Sequence, residues 1–222
     1  MLDFQIEYRD FGYGSGFLSP ETNTTFYVNI PKNASSLVSG WLYESGWTSA
    51  TIGSNNVNWK NINNIVIILR DPIERWVSGI SQYIKGCIID TRISPKSVSV
   101  NDFLKNYNNV VEKLIFDQPN MFDDHVWPQY CFFENILPDV KRTYFYINEN
   151  LELNLKEKLT LKKVDSSSLD YHKSSDDEEL KILKEFFTNK IYPPTGDSKL
   201  YEKLKEIYKK DYELIGSVKL IK

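Results

Sequence analysis

The clearest pattern along the chain is an apolar run, followed by a polar turn and then by a helical apolar stripe. It covers residues 24–42 and reads TTFYVNIPKNASSLVSGWL. Its β-branched and aromatic residues favour a buried strand from Thr25 to Ile30, and Pro31 blocks the continuation of that strand. Apolar residues then recur at helical spacing, at Leu37, Val38, Trp41 and Leu42. We therefore predict a turn over residues 31–36 that lies at the start of a helix.

The same pattern occurs a second time in NIVIILRDPIERWVSGISQYI. Ile65–Leu69 is a continuous apolar run, which is typical of a parallel strand covered on both faces. Arg70 lies at the end of this predicted strand. Asp71 is placed to cap the following helix, and Pro72 to occupy its first turn, where a missing N–H costs nothing. The segment thus predicts a strand with a cationic end and a capped helix.

The predicted helix after Pro72 has one apolar stripe. At about 100° per residue, Arg75 and Ser78 fall roughly 140–160° from Ile73, so we expect both outside the core-facing side. The stripe itself consists of Ile73, Trp76, Val77, Ile80 and Ile84.

Two longer stretches carry weaker patterns. Residues 44–64 are rich in Ser, Asn, Gly and Thr and predict a loop, in which Trp47 and Trp59 are candidate lining residues. Residues 85–124 predict a polar, helical excursion. The best helical face of that excursion is formed by Val110, Val111, Leu114 and Ile115.

The alternation of strands and helices predicts an α/β fold. Two strands that each pass into a helix form the repeating unit of an open parallel sheet flanked by helices. A third strand is predicted at Arg142–Ile147, and a last amphipathic helix over residues 200–215. Ligands of such sheets bind outside the carboxyl ends of the strands, where we expect Lys32 and Arg70 to converge.

The N-terminal residues 1–23 are predicted to be a mobile or hairpin lead-in. Their glycines, in FGYGSGF, precede the first strong strand instead of following a strand into a helix, so they do not predict a dinucleotide site. The chain of 222 residues shows neither a repeat nor a dividing linker. We therefore expect a single domain over 1–222.

Composition narrows the class of protein. Apolar residues make up 41% and charged residues 26%, which is typical of a globular protein. The net charge of −3 does not favour general attraction to nucleic acid or to an anionic membrane, so any anion site must be a local pocket.

No stretch has the roughly 18 apolar residues that span a bilayer, and no signal-peptide core is present. Cys87 and Cys131 are expected to be reduced thiols, and the protein to be cytoplasmic.

The predicted turn over residues 31–36 has the chemistry of an anion site. The first N–H groups of a helix have no intrahelical partner, and the helix dipole places positive potential there. Lys32, Ser35 and Ser36 add side-chain donors. The glycines of a nucleoside-triphosphate loop are absent before Lys32, so a smaller anion than a triphosphate is implied.

Four motifs together resemble the sulfotransferases that use 3′-phosphoadenosine 5′-phosphosulfate (PAPS), in particular their carbohydrate, Golgi-type branch. IPKNASSL is similar to the family's 5′-phosphosulfate motif, and LRDPIERWVSG to its 3′-phosphate motif. DDHVWPQ is similar to a histidine–tryptophan–proline–glutamine element, although Val126 separates His125 from Trp127 where the family has them adjacent. IYKKDYELIG is similar to the C-terminal helix.

The resemblance implies a P-loop-like fold and a set of site residues. The donor would be held by residues Pro31, Lys32, Asn33, Ala34, Ser35 and Ser36. Arg70 and Ser78 would hold its 3′-phosphate. Lys32 would neutralise charge on the leaving phosphate, and His125 would be the general base. The loop residues Lys173 and Ser175 are further candidates for donor binding, and Trp127 is a candidate for acceptor binding. The reaction needs no metal, and none is expected.

Several of these assignments have alternatives. His125 is also read as a surface residue in an ion pair with its neighbouring acids, and Asp123, Asp124 or Glu134 would then be the base. Arg75 is expected to be structural, in an ion pair or on the helix surface, with a phosphate contact as the alternative.

The overall function also has two competitors. The first is a small-molecule kinase of the P-loop type, which would share the strand–lysine–helix turn. The second is a relative that binds the nucleotide or a glycan without turnover. For a sulfotransferase, the acceptor is expected to be a carbohydrate or another hydroxyl- or amine-bearing molecule. A long polyanionic glycan is disfavoured by the acidic net charge. The sequence supports no particular oligomeric state.

Overall fold

A computed structural model describes residues 14–20, 24–54, 57–86, 99–120, 122–148, 150–159, 161, 177–194, 196 and 198–219. Within these ranges the strands are β1 (Ser15–Leu18), β2 (Thr25–Asn29), β3 (Thr48–Thr51), β4 (Asn64–Leu69) and β5 (Lys141–Tyr146). The helices are α1 (Ser35–Glu44), α2 (Pro72–Ile84), α3 (Val100–Asn106), α4 (Asn109–Asp117), α5 (Leu151–Leu159), α6 (Glu178–Ile191), α7 (Lys199–Ile207) and α8 (Lys209–Lys219). The fold is therefore mixed α/β.

The strands form one open, mixed sheet in the order β3-β1-β2-β4-β5. β2, β4 and β5 are parallel, with Tyr27 opposite Val66 and Leu69 opposite Tyr146. β1 is antiparallel to both β2 and β3, so the expectation of a parallel sheet holds only for the three strands at one side. The lead-in over residues 1–23 contributes a hairpin strand, whereas Gly12 lies outside the described residues.

The chain divides into two compact units. The first comprises residues 1–70, 129–171 and 213–222, and the second comprises residues 71–128 and 172–212. The single domain expected over 1–222 stays a prediction beside this division. No described helix is both long and apolar enough to cross a membrane.

The core of the first unit lies on one face of the sheet. Alternate residues of the parallel strands project from this face and pack against α1 and α5, because successive side chains of a strand point to opposite faces. The buried residues of this core are Tyr27, Val38, Trp41, Leu42, Trp47, Val66, Ile68, Phe145, Leu151, Leu155 and Leu161. On the opposite face, Trp59 contacts Phe26 edge-on and Phe133 contacts Tyr144.

The second unit has a helical core. Its buried residues come mainly from α2, α6 and α7 and include the whole predicted stripe of α2. Asp71 caps α2 by accepting from the N–H groups of Ile73 and Glu74, each at 3.0 Å, and Pro72 occupies the first turn. The prediction of this helix start is confirmed.

Several finer predictions are wrong. The stretch 44–64 contains β3 and a 3₁₀ turn at Trp59–Asn61, and Trp47 is a core residue and not a lining residue. Leu114 and Ile115 were both predicted to lie on the apolar helical face of residues 85–124. Leu114 is instead 55% exposed, whereas Ile115 is buried. The helix predicted over 200–215 is interrupted at Tyr208 into α7 and α8, although the hydrogen bonds Tyr208 N–H to Leu204 O and Tyr212 N–H to Tyr208 O continue across the break.

Candidate functional site

The turn over residues 31–36, which we call the anion corner, has a strained backbone. Lys32 has φ of 68° and Ala34 has φ of 55°, and among the described non-glycine residues only Leu137 also has a positive φ. A left-handed conformation costs an L-residue about 1–2 kcal/mol. Successive main-chain N–H groups in a turn can form a concave surface that binds anions. Strain of this kind is concentrated at functional sites.

The first turn of α1 leads directly out of the anion corner. Ala34 is the N-cap residue, and it has no side-chain oxygen to accept from the N–H groups of the first turn. That turn contains no acidic residue. Ser35 is half-buried and Ser36 is exposed. The helix start therefore presents N–H groups and hydroxyls beside Lys32, as an anion site requires.

Arg70 reaches the anion corner from the next parallel strand. Its Nη1 donates to the main-chain carbonyl of Lys32 at 3.2 Å. β2 and β4 pair in parallel, so their carboxyl ends lie at the same edge of the sheet and bring the two residues together. The convergence of Lys32 and Arg70 is confirmed at the level of this contact.

A buried amide network lies under the anion corner. Asn33 Nδ2 donates to Ile68 O at 2.7 Å and to Gln129 Oε1 at 2.6 Å. Gln129 Oε1 also accepts from the N–H of Arg70, and Gln129 Nε2 donates to the carbonyl of Arg70, each at 2.9 Å. Both Asn33 and Gln129 have 0% exposure. The Asn33 side chain therefore holds the corner in shape, and only its main chain is available to the predicted donor.

Gln129 is absent from the predicted site residues. It belongs to the 3₁₀ turn Gln129–Phe132, which follows Pro128. The available signal was a lone amide next to the apolar residues Cys131, Phe132 and Phe133, because a polar side chain buried among such neighbours needs hydrogen-bond partners. Cys131 itself is buried, whereas Cys87 lies outside the described residues.

Helix α2 of the second unit carries Arg75 and Ser78, and both are buried. As predicted, neither residue belongs to the apolar stripe that packs in the helical core. Both are nevertheless buried, since Arg75 is 1% exposed and Ser78 is 7% exposed. Arg75 donates to the main-chain carbonyl of Trp127 and, at 3.1 Å, to that of Asp124. The reason is that α2 is covered on this side by residues 123–127, which we call the histidine segment. Arg75 therefore has the structural role that was predicted for it. It donates to main-chain carbonyls, however, and is buried, whereas an ion pair or a position on the helix surface was expected.

The histidine segment joins His125 to two carboxylates. His125 Nδ1 lies 3.0 Å from Asp123 Oδ2 and 3.1 Å from Asp124 Oδ1. The main-chain N–H of His125 donates to Asp123 Oδ1 at 3.0 Å. The His125 side chain is 31% exposed, so the ring is accessible to solvent on part of its surface.

The hydrogen bond from His125 lowers the pKa of Asp124, and the positive charges of His125 and Arg75 act in the same direction. Partial burial of Asp124 opposes this shift but does not outweigh it. Asp124 is therefore ionised near neutral pH and suited to orienting the imidazole. A carboxylate with a lowered pKa is a weak base, so the arrangement favours His125 over Asp124 as the proton acceptor.

Close packing holds the histidine segment against α2. A Cβ on Gly79 would lie 2.6 Å from the main-chain oxygen of His125, so no larger residue fits there without movement. The hydroxyl of buried Tyr208 donates to the carbonyl of Val126. Val126, the residue inserted between His125 and Trp127, is itself fully buried. These contacts anchor the segment on both sides of His125.

The acidic neighbours of His125 also form a donor set of the kind that binds metal ions. One ligand atom from each of Asp123, Asp124 and His125 lies within 4.8 Å of the others. All three residues are half-buried. Such groups of acidic residues are common without an ion, and the expectation that the reaction needs no metal stays a prediction.

The structure gives less information on the other predicted site residues, Trp127, Lys173 and Ser175. Trp127 is half-buried, and its carbonyl is the acceptor for Arg75. Lys173 and Ser175 lie outside the described residues, as does the rest of their loop.

Comparison of this chain with protein-family models, with curated proteins and with solved structures finds no match.

Proposed function

We propose that the protein is a PAPS-dependent sulfotransferase of P-loop-like fold. The observation that carries the proposal is the contact between Arg70 Nη1 and the carbonyl of Lys32 at 3.2 Å. It brings a guanidinium to a strained, lysine-bearing turn at an uncapped helix start. A guanidinium beside a lysine-bearing turn suits a small ligand with two separate anionic groups, and the order of the sequence motifs supports the same donor.

The donor is proposed to bind through its phosphate groups. The N–H groups at the start of α1, with Ser35 and Ser36, would receive the 5′-phosphosulfate, and Lys32 would stabilise charge on the oxygen that leaves with the phosphate. Arg70 would bind the 3′-phosphate, for which a planar guanidinium fork is better suited than a lysine. The contribution of Ser78 to the 3′-phosphate stays a prediction.

The reaction proposed is an in-line transfer. The acceptor oxygen forms a bond to sulfur while the bond between sulfur and the bridging phosphate oxygen breaks. The products are the sulfated acceptor and 3′-phosphoadenosine 5′-phosphate (PAP). His125 takes the proton of the acceptor hydroxyl. With a carboxylate at Nδ1, the imidazole carries its proton on that nitrogen, which leaves Nε2 as the proton acceptor.

A kinase is the second candidate, and the donor set of Asp123, Asp124 and His125 is the observation in its favour, because phosphoryl transfer from ATP needs a magnesium ion. Against it, the anion corner contains no glycine that would let a loop wrap a triphosphate. A sulfotransferase needs a cationic donor site and a base but neither a triphosphate loop nor a metal, which agrees with the composition of the anion corner.

The test supplies PAPS with an array of saccharide, alcohol and amine acceptors, and separately supplies ATP with magnesium and the same array. We expect PAP to form with PAPS, and no ADP to form with ATP. Lys32→Ala and His125→Ala should each lower turnover by about a hundredfold or more. Lys60→Ala is the matched control, since Lys60 is an exposed lysine of the same unit as Lys32. Turnover of ATP alone would refute the proposal.

A protein that binds the donor without turnover is distinguished by calorimetry. Such a protein would bind PAP or PAPS but form no product with any acceptor. Unchanged turnover in His125→Ala would instead retain the sulfotransferase and remove the histidine from the mechanism.

A further inference from the structure

The buried amide of Gln129 joins the two parts of the anion corner that carry its cations. On one side its Oε1 accepts from Asn33, the residue between the two left-handed residues of the corner. On the other side it makes two hydrogen bonds to the main chain of Arg70. One side chain thus contacts both the lysine-bearing turn and the arginine-bearing strand end.

The need for this bridge follows from the backbone. The pairing of β2 with β4 ends at Tyr27 and Val66, and Pro31 further along has no N–H to donate to a neighbouring strand. The Asn33 side chain supplies a donor to Ile68 O instead, and the Leu69 carbonyl accepts from the N–H of Ile147 at 2.9 Å. The next residue, Arg70, has both its N–H and its carbonyl bonded to Gln129. Within the described part of the chain, the amide therefore occupies the hydrogen-bonding positions at Arg70 that a neighbouring strand would otherwise fill.

We propose that Gln129 is a positioning residue for the anion corner, which fixes Arg70 relative to Lys32 and thereby sets the affinity for the bisphosphate. Gln129 has 0% exposure, so it acts through Asn33 and Arg70 and does not bind the anion itself. The proposal rests on the proposed function for the identity of the ligand, but its geometry concerns any small anion held between these two residues.

Removing the amide takes two part-buried hydrogen bonds from the main chain of Arg70 and one buried hydrogen bond from Asn33. A polar group shielded from water that loses its partner costs more than the hydrogen bond contributed. Relaxation of the strand end to find new partners would move the Arg70 guanidinium away from the carbonyl of Lys32. The expected result is a loss of anion affinity beyond what the loss of stability predicts.

The experiment measures PAP affinity by calorimetry and thermal unfolding for the whole chain. Gln129→Met, which keeps the length of the side chain but not the amide, should bind PAP at least about tenfold more weakly. Phe132→Leu is the matched control, because Phe132 is 1% exposed in the same 3₁₀ turn but has no side-chain amide. At a temperature where both variants are folded, Phe132→Leu should bind PAP within about twofold of the original protein.

A double variant separates positioning from general stability. Asn33→Ala and Gln129→Met act on the same network, so the Asn33→Ala/Gln129→Met protein should bind PAP about as weakly as Gln129→Met alone. If Gln129→Met does not fold, Gln129→Asn decides, since it keeps the amide without adding charge but is one methylene shorter and does not reach both Asn33 and Arg70. We expect at least about tenfold weaker binding there too.

Each outcome decides the inference. It is overturned if Gln129→Met, or Gln129→Asn in its place, binds PAP as the original protein does, or if Phe132→Leu loses as much affinity as Gln129→Met. If the original protein binds pyrophosphate but not PAP, the proposed function fails, and the same comparison with pyrophosphate decides the role of Gln129. If it binds neither, both proposals are overturned.

Discussion

Arg70 donates from Nη1 to the main-chain carbonyl of Lys32 over 3.2 Å, although the two residues lie on different strand ends. The guanidinium of Arg70 thus contacts the main chain of a residue in the left-handed conformation, since Lys32 has φ of 68°. The position of this positive charge therefore depends on the conformation of the turn. If the turn binds the proposed donor, a cation held against it in this way would reduce the ordering that binding requires.

The strain of the anion corner is testable at Ala34. Its φ of 55° is costly for alanine but not for glycine. We expect Ala34→Gly to raise the free energy of unfolding by up to about 1 kcal/mol, measured by urea denaturation. Ala50→Gly in β3, where glycine only adds freedom to the unfolded chain, should lower it by about 0.5–1 kcal/mol. Destabilisation by Ala34→Gly would contradict the argument from strain.

Gly79 is expected to control the position of the histidine segment. An added Cβ would lie 2.6 Å from the carbonyl oxygen of His125 and 2.9 Å from its carbonyl carbon, and main-chain atoms cannot rotate away. Gly79→Ala should therefore lower the free energy of unfolding by about 1–3 kcal/mol, and lower kcat more than it raises the KM for PAPS.

Gly216 provides the matched control for that substitution. It lies in α8, and an added Cβ there has nothing within 4 Å. Gly216→Ala should raise the free energy of unfolding by about 0.5–1 kcal/mol, since alanine is the better helix residue. Equal effects of the two substitutions would show that contact with His125 does not matter.

Acid should remove the stabilising interaction between Asp124 and His125. The pKa of Asp124 is lowered in the folded protein, so its contribution to stability is fully present above 3.8, the usual value, and is lost as pH falls through the lowered folded value. Asp124→Asn should lower the free energy of unfolding at pH 5 by about 1 kcal/mol or less, because the pair is partly solvated.

The difference between the original protein and Asp124→Asn should then shrink as the pH is lowered from 4 toward 2.5. Asp139→Asn, a substitution at an exposed carboxylate of the first unit, serves as the reference. A difference that grows on acidification would have the wrong sign for a lowered pKa.

The predictable part of the fold is the part set by local chemistry. The strand β4, the cap at Asp71 and the proline at the first turn of α2 follow from neighbouring residues, and all three are present as expected. β3 was missed because three of its four residues are exposed and it has no alternation of apolar and polar positions. Its pairing with β1 is a tertiary effect that a short polar segment does not reveal.

In the candidate site, too, some features were predictable from the sequence and others were not. Lys32 and Arg70 were predicted to converge because parallel strands end at one edge of a sheet. Gln129 was not predicted, because its partners Arg70 and Asn33 lie 59 and 96 residues away along the chain. The burial of Arg75 was also missed, since helical periodicity describes one covered face, and α2 is covered on a second face by the histidine segment.

The central claim is that the anion corner recognises a nucleotide with both a 5′- and a 3′-phosphate, and calorimetric titration with PAP and with AMP tests it most directly. AMP has the 5′-phosphate alone, so the ratio of the two affinities measures recognition of the 3′-phosphate. We expect the original protein and Lys60→Ala to bind PAP at least about tenfold more tightly than AMP, and Arg70→Ala to bind the two about equally. Equal affinity for PAP and AMP in the original protein, or an unchanged ratio in Arg70→Ala, would contradict the account.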